Sequence, residues 1–200
     1  MKILATINGQ PIPQEPDGCV TFVGEAAVDA DGSPRAYGPN NSGFDFTANA
    51  GRPGNWWGIV TDKEGLPIVQ GPTDPAPGMY VSTTMLILPG YPPTNPRAYL
   101  DSETVPFMVV PGVLRRSALG VVIGCRGLIT DLRSNASVEV VVGDVGPDYH
   151  LGEMSIAAAR ALLLDADPKH GGCDQRVFQY QFWPDQPAVI NGITYPLQRV

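Results

Sequence analysis

The chain has 200 residues, 43% of them hydrophobic, and sets 13 Lys and Arg against 20 Asp and Glu for a formal net charge of -7. That length suits one domain around one sizeable core, and the acidic balance argues against nucleic acid as a partner. Glycine (23) and proline (21) are frequent while charged residues are only 16%, a composition of short strands joined by tight turns.

Behind Met1-Lys2 the apolar run Ile3-Leu4-Ala5 stops at Thr6, too short for a signal peptide or a membrane span, so neither is expected. The three cysteines, Cys19, Cys125 and Cys173, contain no CxxC pair and are odd in number, which makes reduced thiols the expectation. Asp29-Ala30-Asp31-Gly32 resembles part of a calcium loop, but Pro34 stands where that loop needs glycine. It reads as an Asp-Gly turn, and no metal or other cofactor is expected. Trp56 and Trp57 come next; adjacent residues of an extended segment point to opposite faces, so at least one is available to line a surface or cleft.

Strand-like runs occur at 59–61, 78–88, 105–110, 119–123, 138–142 and 177–182, most of them rich in β-branched or aromatic residues. Gly-, Asn- and Pro-containing breaks such as Asn41-Ser42-Gly43, Glu64-Gly65 and Pro89-Gly90 separate them. This is the pattern of a mainly β, single-domain barrel or sandwich. One short helix is predicted from about Ser155 to Asp165, capped by Ser155, with Ile156, Ala159 and Leu163 at helical spacing; Pro168 lies just beyond it.

Several catalytic signatures are missing: no GxSxG elbow, HExxH helix, Walker loop or GxGxxG fingerprint occurs. Only His150 and His170 are available for histidine chemistry. What remains is the carboxylate-dense stretch from Gly143 to Glu153, between an apolar strand and the capped helix. Glycosidic cleavage needs two carboxyl groups flanking the bond, and Asp144 and Glu153 could supply them. An acidic loop before a helix can equally be a solvated turn that complements the helix dipole. The residues alone leave both readings open.

A wider series of segments is more specific. Val28 to Tyr37, Ala48 to Gly58, Asp74 to Thr84, Tyr99 to Pro106 and Gly143 to Ala157 together resemble the chitosanases of glycoside hydrolase family 75, over roughly residues 25–182. Residues 1–24 and 183–200 match nothing in that pattern; the first read as an N-terminal extension packed on the domain, the second as a C-terminal extension.

The resemblance implies endo-hydrolysis of the β-1,4 bonds of chitosan with inversion, Glu153 serving as general acid and Asp144 as base. The strand end Asp144-Val145-Gly146 also looks similar to that of double-psi β-barrel proteins, which favours a barrel of that form with the helix after the catalytic loop. The partner would be chitosan or a related amino-sugar polymer. Asp31, Asp45, Asp101 and Glu103 are candidate contacts to its amino groups, and Trp56, Trp57 and Tyr80 candidate stacking surfaces. Two alternatives stay open: a glycosidase of peptidoglycan or another amino sugar, and a sugar-binding protein of the same fold without activity. Members of the resembled family are largely secreted, which leaves the localisation of this chain undecided.

Overall fold

A computed structural model describes residues 1–199. About 40% of the chain is strand and 11% helix, arranged as one domain built on a closed six-stranded β-barrel with two short α-helices. In chain order the elements are β1 (Lys2–Ile7), β2 (Gln10–Gln14), β3 (Val20–Asp29), β4 (Gly51–Arg52), β5 (Asn55–Trp56), β6 (Phe107–Pro111), α1 (Gly112–Ser117), β7 (Cys125–Asp131), β8 (Ser137–Gly146), β9 (Glu153–Ser155), α2 (Ile156–Ala161), β10 (Cys173–Pro187), β11 (Val189–Ile190) and β12 (Ile193–Thr194).

The barrel runs β3-β10-β7-β8-β6-β9 and closes where β9 pairs back onto β3. Two of its six seams are parallel, β6 with β8 and β3 with β9; the other four are antiparallel. The β1-β2 hairpin extends the sheet from the start of β3 through Gln14 opposite Val20. At the other end, the Gln198 amide donates to the Ile123 carbonyl at 3.0 Å, which fastens the segment at Gln198 beside the start of β7.

Period-two alternation explains the interior. Along β3 the residues Val20, Phe22, Ala26 and Val28 are buried while their neighbours are partly open, so one face of the strand turns inward. Val28, Met154, Met108 and Val142 lie side by side across four strands and are 9% exposed or less. Phe178, Tyr180 and Phe182 of β10 complete this core. The Phe22 and Tyr180 rings stack with centroids 5.0 Å apart.

Between β3 and β6 the chain makes a long excursion, residues 30–106, almost without regular structure. It is braced internally by isolated pairings such as Ile59 with Ser82 and Ile87 with Tyr99, and it meets the barrel where the Leu86 amide donates to the Gly143 carbonyl of β8 at 2.9 Å. The run at 78–88 is therefore a set of single bridges instead of the predicted strand. The run at 119–123 contributes one bridge, at Ile123.

The predicted helix begins as expected, with the Ser155 hydroxyl accepting from the Ala158 amide at 3.2 Å, but it ends at Ala161. Leu163 adopts a left-handed φ of 59°. The amides of Leu163 and Leu164 donate back to Arg160 and Ala159, both at 3.0 Å. This paired closure terminates a helix regardless of the propensity of the residues beyond it. The second helix, α1, was not anticipated from the sequence.

Candidate active site

Pairing register places the acids. Glu153 of β9 stands opposite Val109 of β6, Val109 stands opposite Asp144 of β8, and Ala27 of β3 stands opposite Glu153. Residues paired across adjacent strands share a face, and Asp29, two residues beyond Ala27, shares it as well. Asp29, Glu153 and Asp144 therefore project from one outer face of the barrel, Asp29 and Glu153 one residue along from the interior residues Val28 and Met154, and Asp144 two beyond the interior Val142.

Asp144 reaches this face through a break in register. Met108 pairs with Val142, but the next residue, Val109, pairs with Asp144, so Gly143 is an extra residue in β8. Such a bulge turns the residues beyond it onto the other face. Without it Asp144 would share the inward side of Val140 and Val142. The extra residue must be small, because a Cβ at Gly143 would stand 2.6 Å from Leu100 Cδ1 and 2.9 Å from the Phe107 Cβ.

The excursion walls off this face into a cleft of about 630 Å³ lined by Asp29, Asp31, Asn49, Trp57, Val109, Asp144, Val145, Gly146, Pro147 and Glu153, among others. Asp31 enters from the turn after β3. That turn has the predicted Asp-Gly character, with Gly32 at a φ of 77° and the Ser33 amide donating to Ala30 at 3.1 Å. Trp57 is 62% exposed, and its indole N–H donates to the Asn49 carbonyl at 2.9 Å, which holds the ring at the rim.

The carboxyl groups differ in their partners. Asp144 Oδ1 accepts from the Val145 amide at 2.6 Å and the Met85 amide at 3.1 Å. Asp29 accepts from the Asp31 amide at 2.7 Å, and Asp31 accepts from the Tyr37 hydroxyl at 2.6 Å. Glu153 has no side-chain hydrogen bond among the described residues, and Lys, Arg and His are missing from the cleft lining.

Burial, followed by repulsion from Asp29, pushes Asp31, Asp144 and Glu153 well above the ordinary carboxyl range. Asp29 rises to about 7, chiefly through burial. For Asp144 the two amides pull the other way; for Glu153 the repulsion of Asp29, Asp144 and Asp45 adds to burial. A helix start beside a glutamate ordinarily favours its charged form, but burial and these repulsions outweigh that at Glu153.

Oxygens of Asp29, Asp31 and Asp144 lie within 4.8 Å of one another. Three hard donors at this spacing share protons or surround a cation. Amide and hydroxyl donors engage one oxygen of each, which leaves the second oxygen of each without a donor among the described residues. Glu153 stands outside this trio.

The other candidate residues lie around or behind this cleft. Asp45 is buried just behind the cleft wall, gripped by the Asn49 side-chain amide at 2.9 and 3.0 Å. Trp56 lies in β5, packed against the core, and Tyr80 is half-buried opposite Val69. Asp101 caps its own turn, accepting from the Glu103 amide at 3.0 Å. Glu103 pairs with Arg35 and accepts from the Ser33 hydroxyl at 2.7 Å. Burial alone would raise Glu103, but these donors overcome it and leave the carboxyl below its ordinary value.

Asp29 is the residue that sequence reasoning missed. The signal was the inward alternation Val20, Phe22, Ala26, Val28, which makes its last strand residue face outward.

Neither a scan against protein-family models nor a search of curated proteins returned a match to this chain. Among the described residues, no helix is long and apolar enough to cross a membrane. Fold and site together define a closed mixed β-barrel with an acidic, aromatic-rimmed cleft on its outer face.

Proposed function

We propose that this chain is an inverting endo-glycosidase of the chitosanase type, cutting β-1,4 bonds of chitosan between Glu153 and Asp144. The observation that carries the reading is the unequal setting of these two acids in one cleft. Asp144 has two amide donors that favour its ionised form, whereas every influence acting on Glu153 favours the protonated form. Paired carboxyls with environments that push them apart divide into an acid and a base.

Glu153 gives its proton to the glycosidic oxygen as the bond to the anomeric carbon breaks. Asp144 takes a proton from a water that attacks that carbon from the opposite side, and the product carries the inverted configuration. The backbone positions of the two acids flank β6, two strand spacings or roughly 10 Å apart. Inversion requires carboxyl groups about 6.5 to 9.5 Å apart, which this arrangement can provide. A cationic polymer also suits a cleft with no basic residue in its lining.

The test combines reducing-end release from chitosan, chitin and bacterial cell walls with proton NMR of the first products. Chitosan should be the polymer cut, and the new reducing ends should appear as the α-anomer before mutarotation. A retained β-anomer overturns the mechanism, and preference for cell walls overturns the substrate.

A further inference from the structure

The cleft holds more acid than a two-carboxyl reaction uses. Asp29 is 7% and Asp144 8% exposed, their oxygens fall within the same 4.8 Å grouping, and each has one oxygen engaged by a backbone amide. The other titratable groups facing them are Asp31 from the turn, with the Tyr37 hydroxyl on it, and Glu153 from β9. Asp45, behind the wall, has Lys169 beyond it, and Tyr180 of β10 feels the charge of Glu153. Two buried carboxyls this close, with no basic residue in the lining, do not ionise independently: the first charge opposes the second, and protons leave the pair in two separate steps.

Resting on the chitosanase reading, we propose that Asp29 and Asp144 work as one charge-sharing pair, in which Asp29 is a positioning residue that decides when Asp144 is ionised to draw a proton from the attacking water. Register supports this: β3 and β8 deliver the two groups to the same face from opposite sides of β9 and β6. The Gly143 bulge brings Asp144 onto that face. An Asn in place of Asp29 keeps the shape and can still donate to Asp144, but it cannot repel a charge there.

The deciding experiment measures kcat/KM for chitosan against pH in EDTA, for the wild type and Asp29→Asn. The variant should stay active at reduced rate, and the acid limb of its profile, where the base must lose its proton, should move to lower pH by about one pH unit. An unmoved acid limb overturns the pairing. So does a loss as deep as that of Asp144→Asn, which would make Asp29 the base itself.

A carbon-13 carboxyl titration of the wild-type protein without substrate tests the same point independently of any variant or activity. Asp29 and Asp144 should each titrate in two steps that mirror one another, and independent single-step curves overturn the proposal. Failure of the chitosanase reading is distinguishable, because it appears as full activity in Asp144→Asn or Glu153→Gln, or as no cleavage of chitosan, while the carboxyl titration still decides the pair.

Discussion

The two faces of strands β3, β9, β6 and β8 are opposite in chemistry and lie one residue apart along β3, β9 and β6, and two apart along β8, where Gly143 is the extra residue. Inward lie Val28, Met154, Met108 and Val142, all essentially sealed from solvent. Outward lie Asp29, Glu153, Val109 and Asp144, whose carboxyls raise one another's proton affinity. The same backbone therefore carries a face that stabilises the barrel and a face that costs stability whenever its acids ionise together. The difference shows how a small barrel separates its core from its chemistry without a second domain: alternation does it, and one bulge corrects the phase where alternation alone would fail.

The largest expected effect breaks the outer face and spares the inner one. Asp144→Asn and Glu153→Gln should each lower chitosan hydrolysis about 10²-fold to 10⁴-fold, with thermal unfolding little changed or shifted upward. Asp148→Asn is the control, since Asp148 pairs at the surface with Arg116 at 2.6 Å and should leave activity near wild type. The inner row should respond the other way. Met108→Ala should cost about 2 to 5 kcal/mol in denaturant unfolding, while turnover per folded molecule stays within a few-fold.

A third test uses pH on the intact protein. Asp29 is raised from its ordinary 3.8 to about 7, so between those values the native state binds more protons than the unfolded chain, and stability falls as pH rises through that window. Calorimetry from about pH 4.5 to 7.5 should show a declining midpoint, and Asp29→Asn should flatten the slope; a midpoint that climbs over this range would contradict the crowding of charge. The smallest effect belongs to the rim. Trp57→Ala should weaken binding of chitosan oligomers to an inactive variant several-fold, in line with the ~1 kcal/mol typical of one aromatic contact, with no change in unfolding.

Legibility in the sequence tracks local chemistry. The strands at 105–110, 138–142 and 177–182 announce themselves by runs of β-branched and aromatic residues, and they form β6, β8 and β10. β3 does not, because Gly24, Glu25, Ala26 and Ala27 dilute the signal with small and helix-favouring residues. Its terminal acid, Asp29, then passes for part of a turn. The closeness of Asp144 and Glu153 in sequence is readable, but their placement on either side of Val109 depends on a parallel seam and an antiparallel seam made with a strand some forty residues away. No local pattern encodes that. The extra residue at Gly143 is equally silent, since only the register of β6 against β8 reveals it.

The seam that closes the barrel has a consequence for how the molecule is made. Ala27, Val28 and Asp29 meet Glu153, Met154 and Ser155 across more than a hundred residues of intervening chain, a long-range contact of the kind that slows folding. It is also the contact that brings the acids of β3 and β9 into one cleft. If closing the barrel and crowding the carboxyls occur in one step, that step takes up protons, because Asp29 and Glu153 bind them more tightly in the folded cleft. Refolding should quicken as the solution is made mildly acidic, and the newborn chain would assemble its acidic cleft only in the step that makes it a barrel.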